Sequence, residues 1–230
     1  MFLHGTMKYM EQMPVMPVKL INYSKGEHGD LLQEVAYCAR VSNPDNQTNQ
    51  ETSEKLLGYL IKHKHWSPFE MVSVCLEIKT SRDIARQILR HRSFSFQEFS
   101  QRYAKSSVFM HRDARKQDMK NRQNSTQFED HDILNWFHYQ QSRLLKLSTE
   151  IYDEALNKDI AKEQARAILP LNQYTEVYWT ASFQAIMNFI ELRNEKTSQW
   201  EIQEYAKTLL ECMYDTFPKI TEIWAEAHNW

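Results

Sequence analysis

The chain of 230 residues contains only four glycines, Gly5, Gly26, Gly29 and Gly58, all before residue 60. None stands in GxGxxG or GxxxxGK[ST], so the dinucleotide-binding fingerprint and the Walker phosphate loop are both absent. A chain of this kind that binds a nucleotide must grip the phosphates with side chains rather than with loop amides. Its length suits one large domain or two small ones, and 42% hydrophobic with 25% charged residues is ordinary for a globular protein with a proper core. A net charge of -2 and a pI near 6.5 argue against a coat for nucleic acid or an anionic membrane, so any anion site is local. No apolar run approaches the roughly 20 residues that span a bilayer, and MFLHGTMKYMEQMPVMP lacks a signal-peptide core. The expectation is a cytoplasmic protein. Cys38, Cys75 and Cys212 sit far apart in apolar-periodic contexts and read as reduced core residues.

The periodicities predict an α+β fold, an antiparallel sheet packed with several long helices in a single domain. After a tail over residues 1–17, VKLINYS (18 to 24) reads as a strand and DLLQEVAYCARVS (30 to 42) as a helix. Thr52 or Ser53 caps a helix with Leu56, Leu57, Leu60 and Ile61 inside, and Pro68 turns the chain into MVSVCLEIKT, which alternates as a strand. Thr80 and Asp83 form a capping-box pattern before SRDIARQILRH. Residues 104–130 are polar and aperiodic, hence a long loop or lid. Ile133, Phe137, Leu144, Leu147, Ile151 and Ala155 then mark a long amphipathic helix, and KEQARAIL a short one ended by Pro170. TEVYWTAS (175 to 182) has strand composition, Ser182 can cap FQAIMNFIELR, and QWEIQEYAKTLLECMYDTF is helical.

The segment RHRSFSFQEFSQRY (90 to 103) carries the chemistry. Arg82, Arg86 and Arg90 recur at four-residue steps just before it, where like charges repel unless the face is solvated or an anion binds there. As a strand, SFSFQEFSQRY places Phe94, Phe96, Glu98, Ser100 and Arg102 on one face, apolar at one end and polar at the other. That grading fits a pocket wall, and it fits a structural Glu–Arg pair at a sheet edge. Asn188 lies mid-helix among Ile186, Met187, Phe189 and Ile190 and needs a partner there; Arg193 ends the same helix, and Arg166 lies on KEQARAIL. These arginines are numerous enough to hold several phosphate oxygens bidentately, although each alone suits a glutamate equally well. His63 and His65 with Glu70, and His131 with Asp132, lack the companion ligands of a metal site, and no metal is expected. No serine stands in GxSxG.

RHRSFSFQEFS resembles the arginine-histidine-arginine, seven-residue gap, serine signature of the flavin-dependent thymidylate synthases. The similarity runs from HWSPFE (65 to 70) through ARQILRHR, Arg102 and Tyr103 to KEQARAILPL, MNFIELR and QWEIQ, in the family's order. The resemblance implies an enzyme that makes dTMP from dUMP, with methylenetetrahydrofolate as carbon donor, FAD as hydride carrier and NADPH as reductant. It implies FAD contacts for Ser67, Arg90, His91, Arg92, Glu98, Ser182 and Asn188, with His65 beside the flavin. Gln87, Arg90, Glu98, Ser100, Arg102 and Arg166 are implied to hold dUMP, with Arg193 polarising the uracil. It implies a homotetramer with sites built from several subunits, in which the arginines are neutralised by ligand phosphates and by Glu98 while the phenylalanines wall the pocket. Gln97, Met71, Thr197, Ser182 and Gln184 depart from the family's frequent residues, which bears on single flavin contacts. The reading from another class is a nucleic-acid module, with RHRSFSF and RDARKQDMKNR on phosphates and phenylalanines stacking bases. The near-neutral charge and Glu98 count against it.

Overall fold

The computed structural model describes residues 17–106 and 108–228, so all but the last residue of the N-terminal tail lies outside the described residues. The chain opens with β1 (Val18–Tyr23) and α1 (Leu31–Ala39), whose N-cap Asp30 accepts from Gln33 N at 3.0 Å after Gly29 at φ +123°. A conformation at that φ favours glycine. Next come α2 (Ser53–Lys62), α3 (Ser67–Glu70), β2 (Ser73–Ser81), α4 (Arg82–Ile88) and β3 (Ser95–Glu98). The hairpin β4 (Arg115–Gln117) and β5 (Ser125–Gln127) precedes α5 (His131–Asn157), α6 (Lys162–Ala165), β6 (Tyr174–Ser182), α7 (Phe183–Arg193), α8 (Trp200–Thr216) and α9 (Pro218–His228).

Four strands form an antiparallel sheet in the order β1-β2-β6-β3, with Leu76 opposite Trp179 and Phe96 on the other side of Trp179. Alternation sorts the faces. Val74, Leu76, Ile78, Val177 and Trp179 are buried beneath Phe183, Phe189, Ile202, Tyr205 and Trp224 of the C-terminal helices. Each such side chain contributes about 1.5–3 kcal/mol by leaving water. The other face carries Glu77, Glu176 and Tyr178; the Tyr178 hydroxyl lies 2.8 Å from Glu176 Oε1 and 3.1 Å from Glu77 Oε2, and these carboxylates push its pKa up to about 12. The α+β single-domain architecture agrees with the sequence reading.

Several local expectations are corrected. The strand predicted over 93 to 103 stops at Glu98, because Arg82 Nη2 takes the Phe99 carbonyl at 3.1 Å and Ser100 O accepts from Tyr103 N and Ala104 N in a turn. Ser100 and Arg102 therefore do not continue the face of Phe96 and Glu98. The capping box at Thr80 and Asp83 does not form: β2 runs on to Ser81, no side chain caps α4, and Asp83 binds Arg112 instead. Thr52 is the N-cap of α2 without a side-chain bond, while the Ser53 hydroxyl donates to Gln33 Oε1 at 2.7 Å. α4 ends at Ile88, so Arg90 lies beyond it. The segment 104–130 holds the β4–β5 hairpin. The α5 helix forms, yet Ile133, Leu144, Leu147 and Ile151 are 37–56% exposed while Leu145, Ser148, Tyr152 and Ala155 face inward. Among the described residues no helix is long and apolar enough to cross a membrane.

Candidate active site

The charges around α4 divide into two groups. At its N-terminal end Arg82 Nη1 donates to Glu98 Oε1 at 2.9 Å, and Thr175 Oγ1 donates to the same oxygen at 2.8 Å. Burial lowers the Arg82 pKa; Glu98 opposes that, and the charges of Arg166 and Arg86 add to it. Glu98 is thus neutralised by Arg82 rather than by the arginines of its own segment. Arg166 belongs to this group, and its Nε donates to Glu163 O at 3.3 Å, while Arg102 Nε pairs with Glu163 Oε2 at 3.2 Å. The turn at Ser100–Ala104 in this way docks beside α6, with Lys162 Nζ donating to Tyr103 O at 3.3 Å.

Beyond the C-terminal end of α4, the chain folds back so that His91 N reaches Ile88 O and Phe94 N reaches His91 O. The His91 ring packs edge-on against Phe189 at 4.7 Å and over Phe94 at 5.5 Å. Arg193 Nε donates to His91 Nε2 at 3.1 Å, which makes Nε2 the unprotonated nitrogen. Burial, followed by the Arg193 charge, lowers the His91 pKa to about 4. Burial and then Arg90 lower that of Arg193. Among the described residues Arg86, Arg90 and Arg92 have no salt bridge. Arg90, without a salt bridge and close enough for its charge to act on Arg193, together with Arg193 held by a neutral imidazole, makes a site suited to an anion.

Arg90, His91 and Arg193 are thus brought together, while Gln87 donates to Gln199 at 2.6 Å; Glu98 and Arg166 gather around Arg82, and Arg102 joins them from the Ser100 turn through Glu163. His65 and Ser67 lie on the α2–α3 connection; His65 faces Tyr59 at 6.3 Å, and Ser67 opens α3 ahead of Pro68. Ser182 caps α7 by accepting from Ala185 N at 3.2 Å. Asn188 is exposed, so the apolar neighbours that promised it a buried partner turn inward without it. The phenylalanines are only partly a wall: Phe94 stacks on Trp179 at 4.4 Å inside the core. Of the departing residues, Gln97 is exposed opposite Tyr178, Met71 and Thr197 are exposed, and Gln184 is buried. A pocket lined by His28, Tyr37, Arg40 and Asn49 contains none of the expected site residues.

Sequence reasoning missed Arg82 as the partner of Glu98, although its four-residue spacing from Arg86 drew attention to it. It also missed Gln101 and Gln173, buried and bonded to each other, and the polar chain from Gln87 through Gln199 to Glu201. Single glutamines, whether on loops or, like Gln87, on a helix, carry no periodic signal.

Comparison with known proteins gives the family. Residues 19–219 match the family described as thymidylate synthase complementing protein. The chain is 46% identical over 219 residues to a probable flavin-dependent thymidylate synthase of Paramecium bursaria Chlorella virus 1, covering 94% of this chain and all of that one. It is 43% identical over 211 residues to the flavin-dependent thymidylate synthase of Synechocystis, covering 89% and 97% of the two chains. Its fold matches the UMP/dUMP methylase PolB of Streptomyces cacaoi, solved with 5-Br dUMP, at a TM-score of 0.79 and 26% identity over 92% of this chain and 95% of that one. The chain belongs to the thymidylate synthase complementing protein family, whose curated relatives are flavin-dependent thymidylate synthases.

Proposed function

We propose that the chain converts dUMP to dTMP, with methylenetetrahydrofolate as one-carbon donor, FAD as hydride carrier and NADPH as reductant of the flavin. The observation that carries this reading is the set of unpaired guanidiniums around α4, in a chain of this family. These residues suit FAD: Arg90 and Arg92 are cations without a salt bridge among the described residues, His91 is neutral, and Asn188 offers an exposed amide. Ser67, Glu98 and Ser182 complete the flavin set, and the Ser182 hydroxyl keeps its hydrogen to donate while its oxygen caps α7. When bound, FAD supplies the hydride that completes the methyl group.

For dUMP, Arg102 and Arg166 flank Glu163 and present charge to the 5′-phosphate, with Ser100, Glu98, Gln87 and Arg90 around the sugar and base. Arg193 acts on the uracil. His91 holds its Nε, which leaves both Nη groups to polarise a ring carbonyl. His65 borders the flavin. No protein nucleophile is needed in this scheme. Burial pushes the Cys38 and Cys212 thiols up, away from the reactive thiolate, and Cys75 projects from the outer sheet face. Ser100 lacks a base, since Glu98 is engaged by Arg82 and Thr175.

The proposal extends to a homotetramer with sites shared between subunits. In its favour, Ile133, Phe137, Gln140, Leu144, Leu147 and Ile151 on α5 follow the alternating four- and three-residue steps of a helix-packing seam, and its aliphatic members are exposed. The three free cysteines suit a reducing cytoplasm. The test is a spectrum and a tritium-release assay on the purified protein. FAD uptake, a flavin spectrum perturbed by dUMP, and tritium release from C5-labelled dUMP that requires methylenetetrahydrofolate and NADPH are the results expected. A protein that ignores FAD and binds single-stranded DNA with a steep salt dependence overturns the reading.

A further inference from the structure

We infer that Glu201 and Arg112 are positioning residues for substrate binding, acting through Gln199 to fix which way the Gln87 amide faces its ligand. The inference rests on the reading of Gln87 as a dUMP contact.

The chain of contacts starts in the interior. Glu201, in the first turn of α8, is only 7% exposed, and a buried carboxylate needs compensation. Arg112 provides it from the segment that the sequence presents as a solvated loop: its Nε lies 3.7 Å from Glu201 Oε1 and has no hydrogen-bond partner. Its Nη2 reaches both oxygens of Asp83 at 3.1 and 3.2 Å and also bonds Ser81 Oγ. The Arg112 backbone is clamped in turn. Arg112 N donates to Gln141 Oε1 at 2.9 Å, and Gln141 Nε2 donates to Arg112 O at 2.7 Å. Three residues on, the Arg115 guanidinium lies 5.4 Å over the Trp200 ring, next to Glu201. One guanidinium therefore ties the N-terminal end of α4 to the start of α8.

The other Glu201 oxygen sets a direction. Gln199 Nε2 donates to Glu201 Oε2 at 2.8 Å, and Gln87 Nε2 donates to Gln199 Oε1 at 2.6 Å. A glutamine amide can ordinarily turn over, exchanging donor and acceptor. Here it cannot do so without loss, because a carboxylate only accepts. Gln199 must turn its NH2 to Glu201, its oxygen then faces Gln87, and Gln87 must answer with an N–H. The Gln87 carbonyl oxygen and its second N–H remain for the ligand. Orienting an amide before binding removes an ordering cost from the binding step.

The test is Glu201→Gln, which keeps volume and hydrogen-bonding capacity but can donate as well as accept, releasing the constraint on Gln199. Dissociation constants for labelled dUMP are measured by equilibrium dialysis on the full-length protein, for wild type, Glu201→Gln, Gln87→Ala and the double variant. The expected result is a rise of about 3- to 10-fold for Glu201→Gln, the scale of one oriented hydrogen bond, with FAD affinity unchanged. In the Gln87→Ala background the same substitution should be silent, because nothing remains to orient. An equal loss in both backgrounds overturns the inference and leaves Glu201 a stability residue. If the wild type binds no dUMP, the functional reading fails, and the relay is judged by denaturant unfolding of the same four proteins: coupling between positions 87 and 201 supports it, and strict additivity overturns it.

Discussion

The two ends of α4 carry similar charges and treat them in opposite ways. At the N-terminal end Arg82 is matched to Glu98 and Asp83 to Arg112, all with side chains at most about 30% exposed. Past the C-terminal end, Arg90 and Arg92 have no salt bridge among the described residues, and Arg193 leans on a neutral histidine. The first arrangement compensates its charges within the fold. The second leaves positive charge uncompensated within a few residues, which self-repulsion makes unfavourable unless an anion arrives. Charge alone does not separate a structural arginine from a binding one; a carboxylate held with it out of water does, as for Arg82, whereas the Arg102–Glu163 pair stands about half exposed and open to a ligand.

The largest effect should follow from removing the arginine that acts on the ring. Arg193→Ala should lower turnover about 10²- to 10³-fold, as loss of one donor to developing charge does elsewhere, with circular dichroism unchanged. Full turnover would exclude Arg193 from the chemistry. Second, Arg102→Ala and Arg166→Ala should each weaken dUMP binding by about 1.5–3 kcal/mol, the range for hydrogen bonds to charged groups, and leave FAD titrations nearly unmoved. Equal losses for both ligands would remove the boundary drawn between the two groups.

A pH titration sharpens the comparison at His91. Its folded pKa is about 4 against an ordinary 6.5, so the unfolded chain takes up the proton first as pH falls. The contribution is whole above about pH 6.5 and is lost on the way to pH 4. The loss should be on the order of 2 kcal/mol once the water-facing part of the ring is allowed for. Denaturant unfolding of wild type and His91→Gln at pH 7 and pH 4.5 checks this, and identical pH dependence in the two proteins would contradict it. The smallest expected effect is that of Ser100→Ala, about 0.5–1.5 kcal/mol on substrate affinity with turnover retained, whereas loss of all turnover in a flavin-loaded variant would restore a nucleophile.

These contrasts also show what the sequence could reveal. The strand read over 71–80, found as β2 at Ser73–Ser81, was legible because Val74, Leu76 and Ile78 alternate against a single apolar layer, and α7 because Ser182 caps an apolar run. The signature segment was legible as chemistry and misleading as geometry. Where β3 ends depends on Arg82, a residue 17 positions away that takes the Phe99 carbonyl, and no local pattern encodes that contact. Arg112 was hidden for the same reason: within RDARKQDMKNR it looks like one more solvated cation, and only folding brings Asp83, Ser81 and Glu201 around it. On α5 the periodicity shows the helix but not its partner: of the apolar stripe it marks, Ile133, Leu144, Leu147 and Ile151 are exposed and Ala155 is buried.

The central claim, that α4 is compensated at one end and open at the other, is tested most directly by measuring thermal stability of Arg82→Ala and Arg90→Ala with and without FAD. Without ligand, Arg82→Ala should lose about 1.5–3 kcal/mol through the orphaned Glu98. Arg90→Ala should change by no more than about 0.5 kcal/mol, or gain slightly as repulsion from Arg193 is relieved. With FAD, the ligand-induced rise in Tm should survive in Arg82→Ala and shrink sharply in Arg90→Ala. An Arg90→Ala protein as destabilised as Arg82→Ala, yet with its full FAD-induced shift, would contradict the account.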